Sequence, residues 1–197
     1  MSVVLELSPS STKGLPAVVA PPHPLYGGHM DNPVVTTLAG ALAHSGYAPL
    51  RFNWRGVGES AGRPSGRVED ATEDYRAAID EALRRAASPG ARVLAAGYSF
   101  GAVAAVAVAA GGETSIERLV LVAPPVQMLE VMDVASIETP IQVIVGERDQ
   151  YAGAEQLADA LSTAREARLD VIPDADHFFG FPPWLEKIAE LVRTAGA

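Results

Sequence analysis

Short apolar, β-branched runs alternate with helical patterns along the whole chain. Several runs are apolar at every position, which is typical of strands in a parallel sheet that helices cover on both faces. The predicted strands are residues 3–7, 17–20, 48–54, 92–96, 118–123, 141–145 and 168–172, and the predicted helices are 33–45, 69–87, 100–110, 154–164 and 183–194. This alternation predicts an α/β fold with a mostly parallel sheet.

Length and charge narrow the class of protein. The chain has 197 residues and is 48% hydrophobic, which suits one domain over 1–197 with a sizeable core. Its net charge of −9, without a run of Lys or Arg, argues against a nucleic-acid partner. Acidity of this kind more often only keeps a protein soluble, and the sequence gives no prediction of oligomeric state.

Several kinds of chemistry and location are excluded or disfavoured. There are no cysteines, so disulfides, thiolate nucleophiles and cysteine zinc sites are excluded. The first residues lack a basic region, and Glu6 interrupts their apolar run, so we expect no signal peptide. The longest apolar run, 102–110, is far below the roughly 18 residues of a membrane span. We therefore predict a cytoplasmic protein.

A Gly-x-Ser-x-Gly motif, GYSFG, occupies residues 97–101. An apolar strand pattern precedes it and an apolar helix pattern follows it, which is the context of a nucleophile elbow. The turn would hold the Ser99 hydroxyl at the carboxyl edge of the sheet, where α/β proteins bind their ligands. The alternative interpretation is an ordinary tight turn between a strand and a helix.

A serine hydroxyl needs a base, and the base needs an acid that orients it. In an elbow fold the partners follow the serine in the order acid and then histidine, each just past a strand. Asp149 follows the strand at 141–145, and His177 is the one histidine after Ser99. Glu147 and Asp176 compete with Asp149 as the acid, and we favour Asp149.

The oxyanion of such a reaction needs two backbone N–H donors. The amide of Phe100, the residue after the nucleophile, is expected to supply one. The second is expected from the loop PPHPLYGG at 21–28, after an early strand. Because proline cannot donate, the candidates are His23, Leu25 and Tyr26, of which we favour His23.

Two other sequence patterns are weak candidates for a dinucleotide site and a metal site. The segment GVGESA at 56–61 follows a strand but is not followed by a helix, so we interpret it as a structural turn and not a dinucleotide site. His23, His29 and His44 lie near Asp31 in the sequence, but their spacing matches no metal motif. We expect neither a cofactor nor a metal.

With these motifs, the chain resembles the α/β-hydrolase superfamily over nearly its whole length, and in particular small bacterial hydrolases of the serine-esterase type, related to the dienelactone-hydrolase and S33-peptidase-like groups. The motifs that carry the resemblance are HPLYGG (23–28) with MDN (30–32), RFNWRGVGES (51–60), GYSFG (97–101), GERD (146–149) and DHFF (176–179).

The resemblance implies a catalytic triad of Ser99, Asp149 and His177, in agreement with the residue-level prediction. It also reveals a departure, because relatives commonly read HPHPLYGG where this chain has Pro21 in place of the first histidine.

The expected substrate follows from the short segment between the motifs GYSFG and GERD. Many relatives insert a cap domain where this chain has only residues 124–140, so we predict a cap-less, open site. Tyr26 and Phe178 are expected to bind a small-molecule substrate at an apolar rim, and the alternative is that either ring belongs to the core. An apolar rim favours carboxylic esters of short to medium acyl chains. Peptidase, thioesterase and acyltransferase activities stay open, as does a non-catalytic, ligand-binding protein of this fold.

Overall fold

A six-stranded parallel sheet forms the centre of the computed structural model, which describes residues 5–7, 14–86, 88–129 and 132–194. The strands are β1 (Leu15–Ala20), β2 (Tyr47–Arg51), β3 (Val93–Tyr98), β4 (Ile116–Val122), β5 (Ile141–Gly146) and β6 (Ala167–Ile172). They lie in the order β2-β1-β3-β4-β5-β6, and every neighbouring pair is parallel. The predicted α/β fold is therefore confirmed.

Helices flank this sheet. They are α1 (Pro33–His44), α2 (Val68–Ala86), α3 (Phe100–Ala110), α4 (Val126–Leu129), α5 (Ala154–Leu161) and α6 (Pro182–Thr194), with 3₁₀ turns at Pro24–Tyr26 and Val134–Ser136. α1 packs against α6, and α2 packs against α3. Within the described ranges, no helix combines the length and apolarity that crossing a membrane requires.

The core lies around the central strands. Every residue of β3 and of β5 is buried, as the fully apolar runs in the sequence predict. α3, with the sequence FGAVAAVAVAA, is apolar around almost its whole circumference and packs on β3, β4 and α2. A helix that is apolar around its circumference is stable only when other elements surround it, and α3 therefore lies in the interior of the fold.

The order of the strands places a crevice beside the central strand. From β1 the chain proceeds outward to β2 and then returns to β3 on the other side of β1. Ligands of open α/β sheets bind outside the carboxyl ends of the strands at such a switch point. The segments that leave β1 and β3 there begin at Pro21 and Ser99.

Two predicted strands differ from the structure. The strand predicted at 48–54 ends at Arg51, and Phe52 makes only an isolated antiparallel bridge with Leu7. Of the strand predicted at 3–7, residues 3 and 4 lie outside the described residues, and 5–7 form only that bridge, so the prediction is wrong for 5–7.

The physical reason lies in the side chain of Glu6. Its carboxylate accepts hydrogen bonds from Asn53 Nδ2 and from the Glu59 amide, both at 2.7 Å. The backbone N–H of Asn53 also donates to the Glu6 backbone carbonyl at 2.9 Å. The turn after β2 thus holds this segment in place, and the segment does not extend the sheet.

The connection between β4 and β5 is short. In residues 124–140, leaving aside 130 and 131, which the structure does not describe, the regular elements are α4 and the 3₁₀ turn Val134–Ser136. The predicted cap-less form of the fold is confirmed, and the carboxyl edge of the sheet stays open.

Candidate active site

Ser99 stands on a strained turn between β3 and α3. Its backbone angles are φ 53° and ψ −117°, which a non-glycine residue adopts only when the surrounding structure enforces them. A Cβ atom at position 97 would lie 2.3 Å from the Gly101 carbonyl carbon, and one at position 101 would lie 2.5 Å from the Pro21 carbonyl oxygen. Only glycine fits at both positions, so the motif allows the close approach that the turn requires.

A chain of hydrogen bonds starts at this serine. Ser99 Oγ lies 3.0 Å from His177 Nε2, and His177 Nδ1 lies 2.8 Å from Asp149 Oδ2. The other oxygen of Asp149 accepts hydrogen bonds from the amides of Tyr151, at 2.8 Å, and Ala152, at 2.9 Å. Because this carboxylate accepts at both oxygens, it favours the imidazole tautomer with the proton on Nδ1. Nε2 is then free to accept the serine proton.

The loops after β5 and β6 interlock, which fixes Asp149 beside His177. The Arg148 amide donates to the Ala175 carbonyl, and the Glu147 amide donates to the Ile172 carbonyl, both at 2.9 Å. A Cβ atom on Gly146 would lie 2.3 Å from the Ala175 carbonyl oxygen, so glycine is required here too.

Tyr98, the residue before the serine, ties the histidine loop to the nucleophile strand. Its buried hydroxyl donates to the His177 carbonyl at 2.9 Å. Burial raises the pKa of this phenol, so the hydroxyl keeps its proton and remains a donor.

The two carboxylates that compete with Asp149 in the sequence have other partners. Glu147 accepts a hydrogen bond from the Asp174 amide at 2.9 Å. Asp176 Oδ1 accepts from the amides of Phe178, at 2.9 Å, and Phe179, at 3.1 Å. Each of them stabilises a turn, so among the three candidates the structure brings only Asp149 to the imidazole.

The loop after β1 lies against the elbow and leaves one candidate amide without an acceptor. The Leu25 amide donates to His23 Nδ1 at 3.2 Å, and the Tyr26 amide donates to the His23 carbonyl at 3.1 Å. Burial lowers the pKa of the His23 imidazole, which keeps the ring neutral and Nδ1 able to accept. The backbone amides of His23 and Phe100 find no acceptor among the described residues. The rings of these two residues lie 4.6 Å apart.

Side chains of the motif RFNW, at the end of β2, hold this loop. Trp54 Nε1 donates to the carbonyls of Pro22, at 2.9 Å, and Pro21, at 3.2 Å. Asn53 Oδ1 accepts from the Met30 amide at 2.8 Å. Beyond the family resemblance, the sequence predicts no role for these residues. The one local signal was a run of polar and aromatic side chains directly after an apolar strand.

A pocket of about 510 Å³ opens above Ser99 and His177. Tyr26 and Phe178, the two predicted rim residues, both line it, and their side chains are 87% and 62% exposed, so neither belongs to the core. Phe100, Met128 and Tyr151 also contribute apolar surface to the lining.

Two other patterns from the sequence, the segment 56–61 and the histidines near Asp31, lie within the described residues. Gly56 and Gly58 adopt positive φ angles of 70° and 57° in a turn. No group of three or more His, Asp or Glu side chains within the described residues is placed to hold a metal ion.

Comparisons with known proteins show the family of this chain. The family model described as serine aminopeptidase, S33, matches residues 26–134, a range that contains Ser99. The uncharacterized protein RP471 of Rickettsia prowazekii is 32% identical over 175 residues, which cover 84% of this chain and 72% of that protein.

Two solved structures are also similar. An α/β serine hydrolase homologue from Coxiella burnetii is 29% identical, with a TM-score of 0.84 over 98% of this chain and 91% of its own. XC6422 from Xanthomonas campestris, described as an α/β serine hydrolase without a lid, is 30% identical, with a TM-score of 0.79 over 98% of this chain and 85% of its own.

The fold and these relatives define the class of protein as the α/β serine hydrolases. Within that class, the chain belongs to the serine aminopeptidase S33 family.

Proposed function

We propose that the protein hydrolyses carboxylic esters of short to medium acyl chains through an acyl-enzyme on Ser99. The observation that carries this proposal is the hydrogen-bonded chain from Ser99 Oγ through His177 to Asp149, at the floor of an open pocket. The 3.0 Å between Oγ and Nε2 is within the range that direct proton transfer needs.

The proposed reaction has two halves. As Ser99 Oγ attacks the ester carbonyl, its proton moves to His177 Nε2, and Asp149 stabilises the imidazolium. The amides of Phe100 and His23 would bind the oxyanion, since both lack an acceptor among the described residues. His177 then protonates the leaving alcohol as the C–O bond breaks. Water repeats these steps on the acyl-enzyme and releases the acid.

The pocket lining favours esters over peptides with a free amino terminus. An aminopeptidase must hold the ammonium group of its substrate, which calls for a carboxylate beside the nucleophile. Among the described residues, those that line the pocket include neither Asp nor Glu, and most of the pocket surface is apolar. An uncharged ester with an apolar acyl chain suits this lining better.

The proposal extends to the partner, the location and the domain organisation of the protein. We propose a small-molecule ester or acyl compound as the partner, the cytoplasm as the location and a single domain over 1–197.

Hydrolysis of p-nitrophenyl acetate, butyrate, octanoate and palmitate tests the proposal. We expect turnover that peaks at acetate to octanoate, and a fall of at least about 10³-fold in Ser99→Ala, since the loss of one triad member removes most of the rate enhancement. Ser162→Ala is the matched control, because Ser162 is exposed and its hydroxyl only caps α5.

The same assays separate the alternatives. Equal residual rates in wild type and Ser99→Ala would contradict the proposal and favour a ligand-binding protein with this fold. Faster turnover of butyryl-CoA or of alanine p-nitroanilide than of any ester would replace the esterase proposal with a thioesterase or a peptidase.

A further inference from the structure

Two exposed aromatic rings flank the imidazole of His177. The Tyr151 ring lies 4.9 Å from it, centroid to centroid, and the Phe178 ring lies 5.5 Å from it on an edge-to-face contact. Tyr151 is 51% exposed and Phe178 is 62% exposed, and both line the pocket. Aromatic side chains gain much from burial, so two exposed rings at one opening indicate a surface that a ligand covers.

The backbones that carry these rings are fixed. The Tyr151 amide donates to Asp149 Oδ1 at 2.8 Å, and its carbonyl accepts from the Val126 amide at 3.0 Å. The Phe178 amide donates to Asp176 Oδ1 at 2.9 Å. Carboxylate-capped turns therefore hold both residues beside the imidazole, so the site they form is preorganised for a bound group.

The position of the rings identifies which part of a substrate they contact. In the proposed reaction His177 Nε2 protonates the oxygen of the leaving alcohol, so that oxygen lies within hydrogen-bond distance of the imidazole. The group attached to the oxygen must then pass the rings of Tyr151 and Phe178. Tyr26 instead contacts His23, with 4.7 Å between their rings, and so lies on the side of the loop at 21–28, whose His23 amide is the proposed oxyanion donor.

We propose that Tyr151 and Phe178 form a leaving-group subsite for an alcohol that carries an aromatic ring, so that the preferred substrates are arylmethyl esters. This inference rests on the proposed esterase function. Hydrolysis of such an ester breaks the acyl C–O bond, gives the acyl group to Ser99 and then to water, and releases a carboxylic acid and an arylmethanol. The proton that leaves Ser99 ends on the oxygen of that alcohol.

Two acetate esters that differ only in the ring provide the test. Benzyl acetate and cyclohexylmethyl acetate share the acyl group and the carbon count of the alcohol, and both are unactivated. Contacts between aromatic rings add about two- to tenfold in binding over area burial alone. We expect wild-type kcat/KM for benzyl acetate to exceed that for cyclohexylmethyl acetate by about tenfold, measured by acid release in a pH-stat.

Variants assign the preference to the two rings. In Phe178→Leu and in Tyr151→Leu we expect the ratio to fall to about threefold or less. The matched control is Phe181→Leu, because Phe181 is also an exposed aromatic residue at 54%, but it contacts Trp184 and does not line the pocket. That variant is expected to keep the wild-type ratio.

Ethyl acetate, which has no ring, separates failure of this inference from failure of the proposed function. Turnover of ethyl acetate with a benzyl-to-cyclohexylmethyl ratio near one overturns the leaving-group subsite and leaves the esterase proposal standing. A high ratio that survives in both leucine variants overturns the assignment to these rings. The absence of any Ser99-dependent ester turnover overturns the proposed function itself, and the subsite with it.

Discussion

Replacing Trp54 by phenylalanine tests whether the proposed oxyanion loop depends on one indole N–H. The side chain is buried, and its Nε1 donates to the carbonyls of Pro22 and Pro21, at 2.9 and 3.2 Å. Phenylalanine retains a ring against Phe52 and Phe100, whose centroids lie 4.8 and 5.8 Å away. The substitution therefore removes the donor and keeps most of the packing.

The expected magnitudes follow from the lost contacts. Two carbonyls that lie against the indole lose their donor, which costs about 1–3 kcal/mol, and the smaller ring leaves a cavity worth about 1 kcal/mol more. We expect the free energy of unfolding to fall by about 2–4 kcal/mol. Removal of one oxyanion donor costs about 10²–10³-fold in kcat. Because Trp54→Phe loosens the loop that carries His23 without removing its amide, we expect a fall in kcat of about ten- to a hundredfold.

Urea unfolding and kcat for p-nitrophenyl butyrate, both well below the melting temperature, measure the two effects. Trp184→Phe is the matched control, since that tryptophan lies on α6 against Phe181 and outside the pocket. It is expected to lose some stability and to keep kcat. A Trp54→Phe variant with reduced stability and wild-type kcat would refute the reasoning that the indole positions the loop.

Two further substitutions test the proposed acid of the triad and the ion pair between Asp74 on α2 and Arg55. Asp149→Asn is expected to lower kcat by about 10³–10⁴-fold, because an amide favours the wrong imidazole tautomer. The control Asp176→Asn keeps its acceptor oxygen, and its kcat is expected to stay within about threefold of wild type. Equal losses of ester turnover in the two variants would contradict the assignment of Asp149. Asp74, 1% exposed, accepts from Arg55 Nε and from its amide at 2.9 Å each, so Asp74→Ala is expected to lower the free energy of unfolding in urea by about 3 kcal/mol. A loss below about 1 kcal/mol would contradict that estimate.

The part of the site that the sequence predicts well is local in the chain. The elbow is defined by five consecutive residues with a strand before them and a helix after them, and α3 begins at Phe100 as predicted. The sequence predicts Asp149 and His177 because functional side chains of a parallel sheet follow the ends of strands. The structure adds why Glu147 does not compete, since its carboxylate binds the Asp174 amide. The catalytic roles themselves stay predictions.

The part that the sequence does not predict depends on contacts between distant segments. The end of β2 at Arg51 depends on hydrogen bonds from the following turn to the Glu6 carboxylate. No local sequence pattern predicts those hydrogen bonds. The role of Trp54 rests on a hydrogen bond across 32 residues. Whether Tyr26 and Phe178 lie in the core or at the rim also has no sequence signal, because aromatic residues are common in both places.

Covalent labelling of Ser99 tests the central claim most directly. Intact protein is incubated with diisopropyl fluorophosphate, and the adduct is counted by mass spectrometry and located by peptide mapping. We predict one adduct, on Ser99, that is absent in Ser99→Ala and forms at least about a hundredfold more slowly in His177→Ala, since the base that activates the hydroxyl is then missing. Labelling at another residue, or Ser99 labelling at the same rate without His177, would contradict the claim that this serine is the activated nucleophile.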